Sequence, residues 1–396
     1  MSTDGRTDFF LLPLPRIHFG PGRLSELVTS CSAYGRNLLL VTGTQTMQRS
    51  VKLASLFDEF SRNGINCTHL KVDSEPSPEL IDRAVSLGRL KNFDVVAAVG
   101  GGSVMDAGKA VSAMLLQHHS VERFIEGQEG VMVHDGRKVP FIAVPTTSGT
   151  GSEVTNNAVI SRVGLGGYKR SLRHPAFVPD VAIVDPELML TASPSLTAAS
   201  GMDAFTQLME AYLSPFANPY TDAVALSGLE HFSRSFVRAC QDGAGDVSVR
   251  AEMAYAALMS GMALVNAGLG IVHGFASSVG GLFDIPHGTL CATLLAESTR
   301  ENILQLRQIG ADHPALVKFA KVGEILGGQP SGSVSDGCDR LVARLEELQS
   351  MLGFPRLGEF GVREADFDGI LAVTRSRSNA VKLGSDAMKR ILSARL

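Results

Sequence analysis

The sequence has few cysteines, and none of them form a recognisable motif. The five lie far apart in 396 residues, without a C-x-x-C pair, which argues against a disulfide framework and against a thiolate zinc site. This usage is typical of a reducing compartment, so we expect a cytoplasmic location. The cysteines are Cys31, Cys67, Cys240, Cys291 and Cys338.

The chain also lacks a long basic stripe and a convincing membrane segment. Its net charge is −4 with both signs mixed along the chain, so nucleic acid is not an expected partner. The apolar run Phe9–Leu14 is broken by Pro13 and preceded by Asp8, which is atypical of a signal peptide. Residues 253–283 carry no Asp, Glu, Lys or Arg but contain several glycines. We interpret them as a buried core helix followed by a functional loop, with no membrane involved.

The pattern of apolar residues predicts two domains, as the length of the chain also does. Buried strands alternate with helices in the first half, which is the pattern of a Rossmann-like parallel sheet with helices on both faces. After about Pro194 only long helical patterns remain. We therefore expect an α/β nucleotide-binding domain over residues 1–190 and an all-α, metal-binding domain over 191–396. The predicted strands are 37–43, 68–73, 94–103 and 139–147, and the predicted helices are 51–62, 77–92, 105–116, 196–213, 219–241, 247–266 and 335–352.

Two glycine-rich loops follow predicted strands. GGGSVMDAGKA, Gly100–Ala110, joins an apolar strand to a helix. Glycine lets a phosphate approach the backbone closely, and a helix N-terminus offers free N–H groups, so this loop predicts dinucleotide binding. It does not match the G-x-G-x-x-G fingerprint. PTTSGTGSE, Pro145–Glu153, ends the next strand with hydroxyls and glycines that can bond to a diphosphate or a nicotinamide amide.

A third set of residues suits a metal ion. Asp203 and Gln207 lie four residues apart and hence on one helix face, and His273 and His287 are each followed by glycine. One carboxylate with two imidazoles fits Fe(II) or Zn(II) and leaves room for a substrate. A single histidine among apolar neighbours is more often a core residue, and spacing alone does not decide between the two.

Four segments together resemble a known family. GGGSVMDAGKA, PTTSGTGSEVTNNAVI, GMDAFTQLMEAY and NAGLGIVHGFASSVGGLFDIPHG occur in the same order as the signature segments of the iron-containing (metal-dependent, group III) alcohol dehydrogenases. The resemblance extends from about Phe19 to at least Glu297. It implies the fold shared with dehydroquinate synthase, with the metal and the nicotinamide in a cleft between the two domains. It also implies a homodimer.

The resemblance assigns roles to individual residues. It implies that Asp203, His273 and His287 are metal ligands and form the catalytic centre, with Gln207 at the position of a fourth ligand. Lys169 resembles the family's lysine near the cofactor phosphates. The remaining cofactor-binding residues implied by the match are Gly43, Gly100, Gly101, Gly102, Ser103, Asp106, Thr146, Thr147 and Ser152.

Two positions depart from the family pattern. Gln207 stands where the family usually has a third metal histidine, and Ser277 where it often has an active-site histidine. A glutamine carbonyl binds transition metals more weakly than imidazole does. Related glycerol dehydrogenases use one Asp and two His, so a metal site is still expected. With Ser277, a proton has to travel through water, the cofactor ribose or an unidentified group.

The predicted function is hydride transfer between the nicotinamide C4 and an alcohol or aldehyde carbon, with a divalent metal as Lewis acid. The alternatives are a metal-free NAD(P)H reductase of the maleylacetate reductase type and, from another class, a dehydroquinate synthase-like lyase. NAD-preferring relatives tend to carry Asp at the position of Gly43. Glycine lacks the aspartate carboxylate that would repel a 2′-phosphate, and the neighbouring hydroxyls of Thr44 and Thr46 favour NADP over NAD.

Overall fold

The computed structural model describes residues 8–44, 46–48, 50–164 and 166–396. Six parallel strands form one sheet in the order β1-β8-β5-β4-β2-β3, and β6 pairs with β7 in a separate antiparallel hairpin. The strands are β1 (Arg16–Phe19), β2 (Asn37–Gly43), β3 (Asn66–Val72), β4 (Val95–Gly100), β5 (Phe141–Pro145), β6 (Asn157–Arg162), β7 (Tyr168–Arg173) and β8 (Val181–Val184).

Helices cover both faces of the large sheet, as the sequence predicts. All six residues of β4 are buried, and they alternate between two cores: Val96 and Ala98 face one, Val95 and Ala97 the other. Burial on both faces explains why this strand is apolar throughout. The helices of this half are α1 (Glu26–Ser32), α2 (Val51–Ala54), α3 (Leu56–Arg62), α4 (Pro78–Lys91) and α5 (Gly102–Met114).

The second half of the described chain consists of helices around one core. Side-chain caps mark where the first two begin: Ser193 accepts a hydrogen bond from Leu196 N, and Asn218 forms a capping box with Thr221. The helices are α6 (Pro194–Leu213), α7 (Pro219–Cys240), α8 (Val247–Ala267), α9 (Ile271–Leu282), α10 (His287–Ile309), α11 (Pro314–Gly327), α12 (Val334–Met351), α13 (Phe367–Val373) and α14 (Ser385–Ala394).

The parallel sheet and the helical second half confirm the predicted fold class. The last strand ends at Val184 and α6 begins at Pro194, on either side of residue 190; the division into two domains at that residue stays a prediction. One prediction for the helical half is wrong. The segment around His273 is not a loop, because α9 resumes at Ile271 after a break over Gly268–Gly270.

The strand order places the predicted cofactor loops at one point of the sheet. From β2 the chain moves outward to β3 and then returns to β4 on the other side of β2. The direction of winding therefore reverses between β2 and β4. In open α/β sheets, ligands bind at the carboxyl ends of the strands flanking such a reversal. Gly43 and Gly100 are the last residues of these two strands.

The apolar stretch at residues 253–283 lies in the helical core. Among the described residues, no single helix has the length and apolar character needed to cross a membrane, whereas α8 and α9 meet the criterion only as a pair bent by 95°. Most of α8 is buried, from Val249 to Ala267.

Candidate active site

The two predicted cofactor loops are in contact at the carboxyl edge of the sheet. Gly100 and Pro145 are partners in the β4–β5 ladder, and the backbone N–H of Thr146 donates to Gly100 O at 2.9 Å. A Cβ at Gly102 would lie 2.9 Å from the side chain of Thr150, which explains why glycine is needed there. The structure thus brings together segments 45 residues apart in the sequence.

The N-terminus of α5 opens onto this edge. The helix begins at Gly102, with Gly101 as its N-cap and no acidic residue in its first turn. Gly101, Gly102 and Ser103 are only partly buried, so the free N–H groups and the positive end of the helix dipole are accessible to an anion. This geometry suits the pyrophosphate that the sequence predicts here.

Asp106 and Ser152 occupy a different place, behind the loops. The Asp106 carboxylate accepts from Ser152 Oγ at 2.8 Å and from Val159 N at 3.1 Å. The buried ammonium of Lys109 donates to Ser152 Oγ at 3.0 Å and to Thr155 Oγ1 at 2.8 Å. Burial lowers the pKa of Lys109 to about 8 and raises that of Asp106. These residues fasten one cofactor loop to the other; direct contact with the cofactor stays a prediction.

Lys169 lies on β7 and is close enough to Asp106 and His287 that its charge acts to lower the pKa of both. Its ammonium pairs with the carboxylate of Glu75, which also accepts from Ser161 Oγ at 2.6 Å. Burial acts to raise the pKa of Glu75, but Lys169 holds it below its usual value. The sequence analysis did not identify Glu75 as a site residue, because it lies in the loop after β3 and belongs to no recognisable motif.

Side chains from three helices converge on a second centre. Asp203 comes from α6, His273 from the first turn of α9, and His287 and Cys291 from the first turns of α10. Their ligand atoms all lie within 4.8 Å of one another. Asp203 Oδ1 is 3.3 Å from Nε2 of His273 and 3.5 Å from Nε2 of His287. The predicted carboxylate and two imidazoles therefore do meet.

The electrostatics of this centre suit a cation. Burial would raise the pKa of Asp203, but the imidazoles of His287 and His273 hold it below its usual value, so the carboxylate is ionised. Burial lowers the pKa of His287 to about 4, which leaves its ring neutral at pH 7 and able to act as a ligand. The neighbouring sulfur and carboxylates raise the pKa of His273 even though burial opposes this.

Gln207 lies one turn from Asp203 on α6. Its carbonyl oxygen accepts from Ser260 Oγ at 2.8 Å, and its amide nitrogen is 3.5 Å from Asp203 Oδ2. Ser260 also reaches the carbonyl oxygen of Gly149, in the second cofactor loop, at 3.3 Å. A chain of polar contacts therefore joins that loop to the metal-ligand cluster. As a metal ligand itself, Gln207 stays a prediction.

Cys291 is the member of the cluster that the sequence analysis missed. The absence of C-x-x-C pairs argued against a thiolate zinc site, whereas the structure places one thiol among the candidate ligands. Sγ of Cys291 lies 3.9 Å from Nε2 of both His273 and His287. The spacing of His287 and Cys291 could have indicated this, because a cysteine four residues after a histidine lies on the same helix face. Using it requires knowing that α10 begins at His287.

Other residues near the ligands have simpler roles. Phe205 and Phe275 are buried members of the helical core, whereas Leu282 and Phe283 pack against it only partly buried. Ser277 is exposed one turn after His273, and its hydroxyl donates to the His273 carbonyl oxygen at 3.1 Å.

Comparison with known proteins covers nearly the whole chain. Residues 15–186 match the family model described as iron-containing alcohol dehydrogenase, and residues 197–396 match that of the family's C-terminal domain. A 1,3-propanediol dehydrogenase of Klebsiella pneumoniae is 32% identical over 93% of this chain and 92% of its own. An NADPH-dependent butanol dehydrogenase of Clostridium saccharobutylicum is 32% identical over 96% of each chain. The crystal structure of a 1,3-propanediol oxidoreductase superposes with a TM-score of 0.87 at 31% identity, covering 98% of this chain and 100% of that one.

Proposed function

The chain belongs to the iron-containing alcohol dehydrogenase family and is an NAD(P)-dependent alcohol dehydrogenase, and we propose that it interconverts a primary alcohol and its aldehyde using NADP(H) and a divalent metal ion held by Asp203, His273 and His287. One observation carries the proposal. The three side chains converge from α6, α9 and α10 with ligand atoms within 4.8 Å, and Ser260 links this cluster to the second cofactor loop.

The donor set fits a transition metal. Zinc or iron(II) binds imidazole nitrogen and carboxylate oxygen at about 2.0–2.2 Å, and the Asp203–imidazole distances of 3.3 and 3.5 Å allow both donors to reach one ion. A bound metal would supply Lewis acidity that polarises the substrate oxygen. The nicotinamide would supply or accept the hydride.

The chain's own residues position these groups. The glycine loop and the N-terminus of α5 receive the pyrophosphate, and Glu210 holds the ring of His273 by a 2.7 Å hydrogen bond to Nδ1. Ser277 offers a hydroxyl rather than a titratable imidazole. The proton released or taken up with the hydride therefore passes through water or the cofactor ribose.

The preference for NADP rests on the end of β2. Gly43 carries no carboxylate that would repel a 2′-phosphate, and a Cβ at this position would lie 2.7 Å from Thr46 Oγ1. The side chain of Thr46 thus occupies the space that an aspartate would need. The relatives named by their cofactor include an NADPH-dependent butanol dehydrogenase and an NAD-dependent methanol dehydrogenase, so the preference rests on the residues at the end of β2.

Names of the relatives support primary alcohols as substrates, since they include propanediol and butanol dehydrogenases and a long-chain-alcohol dehydrogenase. Assembly as a homodimer and a cytoplasmic location complete the proposal. Light scattering coupled to size exclusion tests the first, and fractionation of the producing cells tests the second.

The decisive experiment separates the metal enzyme from the metal-free reductase. Protein is purified with iron, with zinc and without added metal, and assayed on butanal with NADPH and NADH before and after chelation, alongside elemental analysis. We expect one metal ion per chain, and activity that chelation removes and one ion restores. Full activity in metal-free protein would instead make the enzyme a metal-free reductase. The absence of any NAD(P)H oxidation on a panel of aldehydes would contradict the proposed redox function.

A matched pair of variants assigns the site. Asp203→Asn keeps the side chain's size but removes its charge, so bound metal and activity should both be lost. Asp222→Asn, on neighbouring α7, breaks a 2.8 Å salt bridge to Lys318 and should keep both.

A further inference from the structure

Cys291 is one of the four members of the ligand cluster. Its thiol is fully buried, and Sγ is 3.9 Å from Nε2 of His273 and 3.9 Å from Nε2 of His287. The first two turns of α10 place His287 and Cys291 on one face. The sulfur thus faces the same point as the two imidazole nitrogens and the Asp203 oxygen.

The known distances among the four donors are close to those of a tetrahedral site. An ion bound at about 2.0–2.1 Å by nitrogen or oxygen and at about 2.3 Å by sulfur holds its ligand atoms about 3.3–3.6 Å apart. The oxygen–nitrogen distances in the cluster are 3.3 and 3.5 Å, and the two sulfur–nitrogen distances are 3.9 Å. The remaining two pairs, sulfur–oxygen and nitrogen–nitrogen, lie within 4.8 Å. Binding of one ion would therefore draw the four atoms together by a few tenths of an ångström to about 1 Å.

We propose that Cys291 is the fourth protein ligand of the metal ion, so that the site is an Asp-His-His-Cys site that prefers zinc to iron(II). The inference rests on the proposed metal-dependent function and specifies the ion that the site takes. The fourth donor then comes from α10, whereas Gln207 on α6 directs its carbonyl oxygen to Ser260.

Charge and polarisability both favour zinc. Asp203 and a Cys291 thiolate together carry two negative charges, which neutralise a divalent ion in a place where Asp203 is only 2% exposed. An unbalanced charge there would be costly. Thiolate is a soft ligand that selects zinc over iron(II) in mononuclear sites, and zinc also stands above iron(II) in intrinsic affinity.

The first test uses the unaltered protein. X-ray absorption at the zinc edge of the loaded enzyme should show one sulfur at about 2.3 Å and nitrogen or oxygen neighbours at about 2.0–2.1 Å. The other cysteines are not members of the cluster, so a sulfur neighbour identifies Cys291. A coordination sphere containing only nitrogen and oxygen would overturn the proposal.

The second test uses cobalt(II) as a spectroscopic probe. Thiolate ligation gives a sulfur-to-cobalt charge-transfer band that imidazole and carboxylate do not produce. We expect the band in the loaded wild-type protein and in Cys338→Ala, a control whose cysteine is equally buried but lies in α12. Cys291→Ala should lose it. Cys291→His should bind cobalt without the band. A band that persists in Cys291→Ala would contradict the assignment.

The third test measures affinity and selectivity. Removing groups that merely support metal ligands already weakens metal binding by about 10–100-fold, so we expect zinc affinity to fall more than about 100-fold in Cys291→Ala. In competition under anaerobic conditions, the zinc-to-iron ratio taken up should also fall in Cys291→His. Unchanged affinity and ratio would refute the inference.

These outcomes are separable from failure of the proposed function. An enzyme that reduces aldehydes with a bound metal but shows no sulfur neighbour refutes only the role of Cys291. A protein that binds no metal, under conditions where it is folded and binds NADPH, refutes the metal site altogether.

Discussion

The carboxylate of Glu210 contacts Nδ1 of His273 at 2.7 Å and accepts the backbone N–H of Val272 through its other oxygen, also at 2.7 Å. Glu210 is 5% exposed, so both bonds are shielded from water. An acceptor at Nδ1 holds a proton there, so a metal ion that displaces the proton from Nε2 would meet a lone pair facing Asp203 and Cys291. Glu210 is therefore a positioning residue for the metal ligand.

Replacing Glu210 by Gln should weaken metal binding while preserving the fold. The glutamine carbonyl can still accept from Val272 N, but its NH2 group would then donate to Nδ1 and move the ring proton to Nε2. We expect zinc affinity, measured by competition with a chromophoric chelator, to fall by about 10–100-fold. Circular dichroism checks the fold. Unchanged affinity would show that Glu210 does not set the tautomer.

The end of β2 should decide between the two cofactors. In Gly43→Asp/Thr46→Ala, the second change clears the oxygen that lies 2.7 Å from the new Cβ, and the carboxylate repels a 2′-phosphate. We expect the ratio of kcat/KM for NADPH to that for NADH to fall at least about 10-fold, which corresponds to about 1.4 kcal/mol. Thr46→Ala alone separates the two changes: it removes only one hydroxyl beside the 2′-phosphate, so the ratio should fall less than in the double variant. An unchanged ratio in the double variant would place the 2′-phosphate elsewhere.

Continuous apolar runs revealed most of the sheet. β2 has the predicted bounds of 37–43, and the helix predicted over 77–92 is α4, with Ser77 as its N-cap. In contrast, β1 and β8 were not predicted. Each is only four residues long and both are parallel partners in one ladder, so their stability comes from pairing and not from a local pattern.

The helix break shows a similar limit. The sequence predicts one helix over 51–62, whereas the structure has α2 and α3 separated at Ser55. Apolar spacing continues through the break because Leu53 and Leu56 enter the same core. Periodicity reports which face is buried, but not whether the backbone hydrogen bonds run without interruption.

The candidate site was predictable where its residues lie in motifs. Asp203, His273 and His287 were found in this way, and the structure brings them together. Glu75 and Glu210 were not, because each acts through a partner distant in sequence, Lys169 and His273 respectively. Only the tertiary fold creates those pairs.

The Glu75–Lys169 pair predicts opposite effects of two substitutions on cofactor binding. Lys169 is 6% exposed at its side chain and pairs with Glu75, so Glu75→Gln frees a positive charge for the cofactor phosphates. We expect Glu75→Gln to lower the Kd of NADPH and Lys169→Ala to raise it at least about 10-fold, measured by quenching or transfer of nicotinamide fluorescence. Increasing salt should weaken binding to the Glu75→Gln variant most. If both variants bind NADPH more weakly, the pair is structural and does not control the cofactor.

Glu153 should make stability fall as pH rises. Burial raises the pKa of this carboxyl, which is 3% exposed, to about 7, although Lys109 opposes the shift. The folded protein therefore binds the proton more tightly than the unfolded chain does. The favourable contribution is complete below the unfolded pKa of about 4.5 and is lost as pH rises through about 7, which amounts to about 3 kcal/mol.

Glu153→Gln removes this titration with little change of shape. We expect the free energy of unfolding of the wild-type protein, from urea melts, to decline relative to that of Glu153→Gln between pH 5 and 8. Glu126→Gln is a suitable control, because Glu126 is exposed and pairs with Arg173 at 3.0 Å; its profile should stay within about 0.5 kcal/mol of the wild type. Parallel profiles for wild type and Glu153→Gln would mean that the folded protein does not raise the pKa of Glu153. Water or Lys109 would then stabilise the ionised carboxylate.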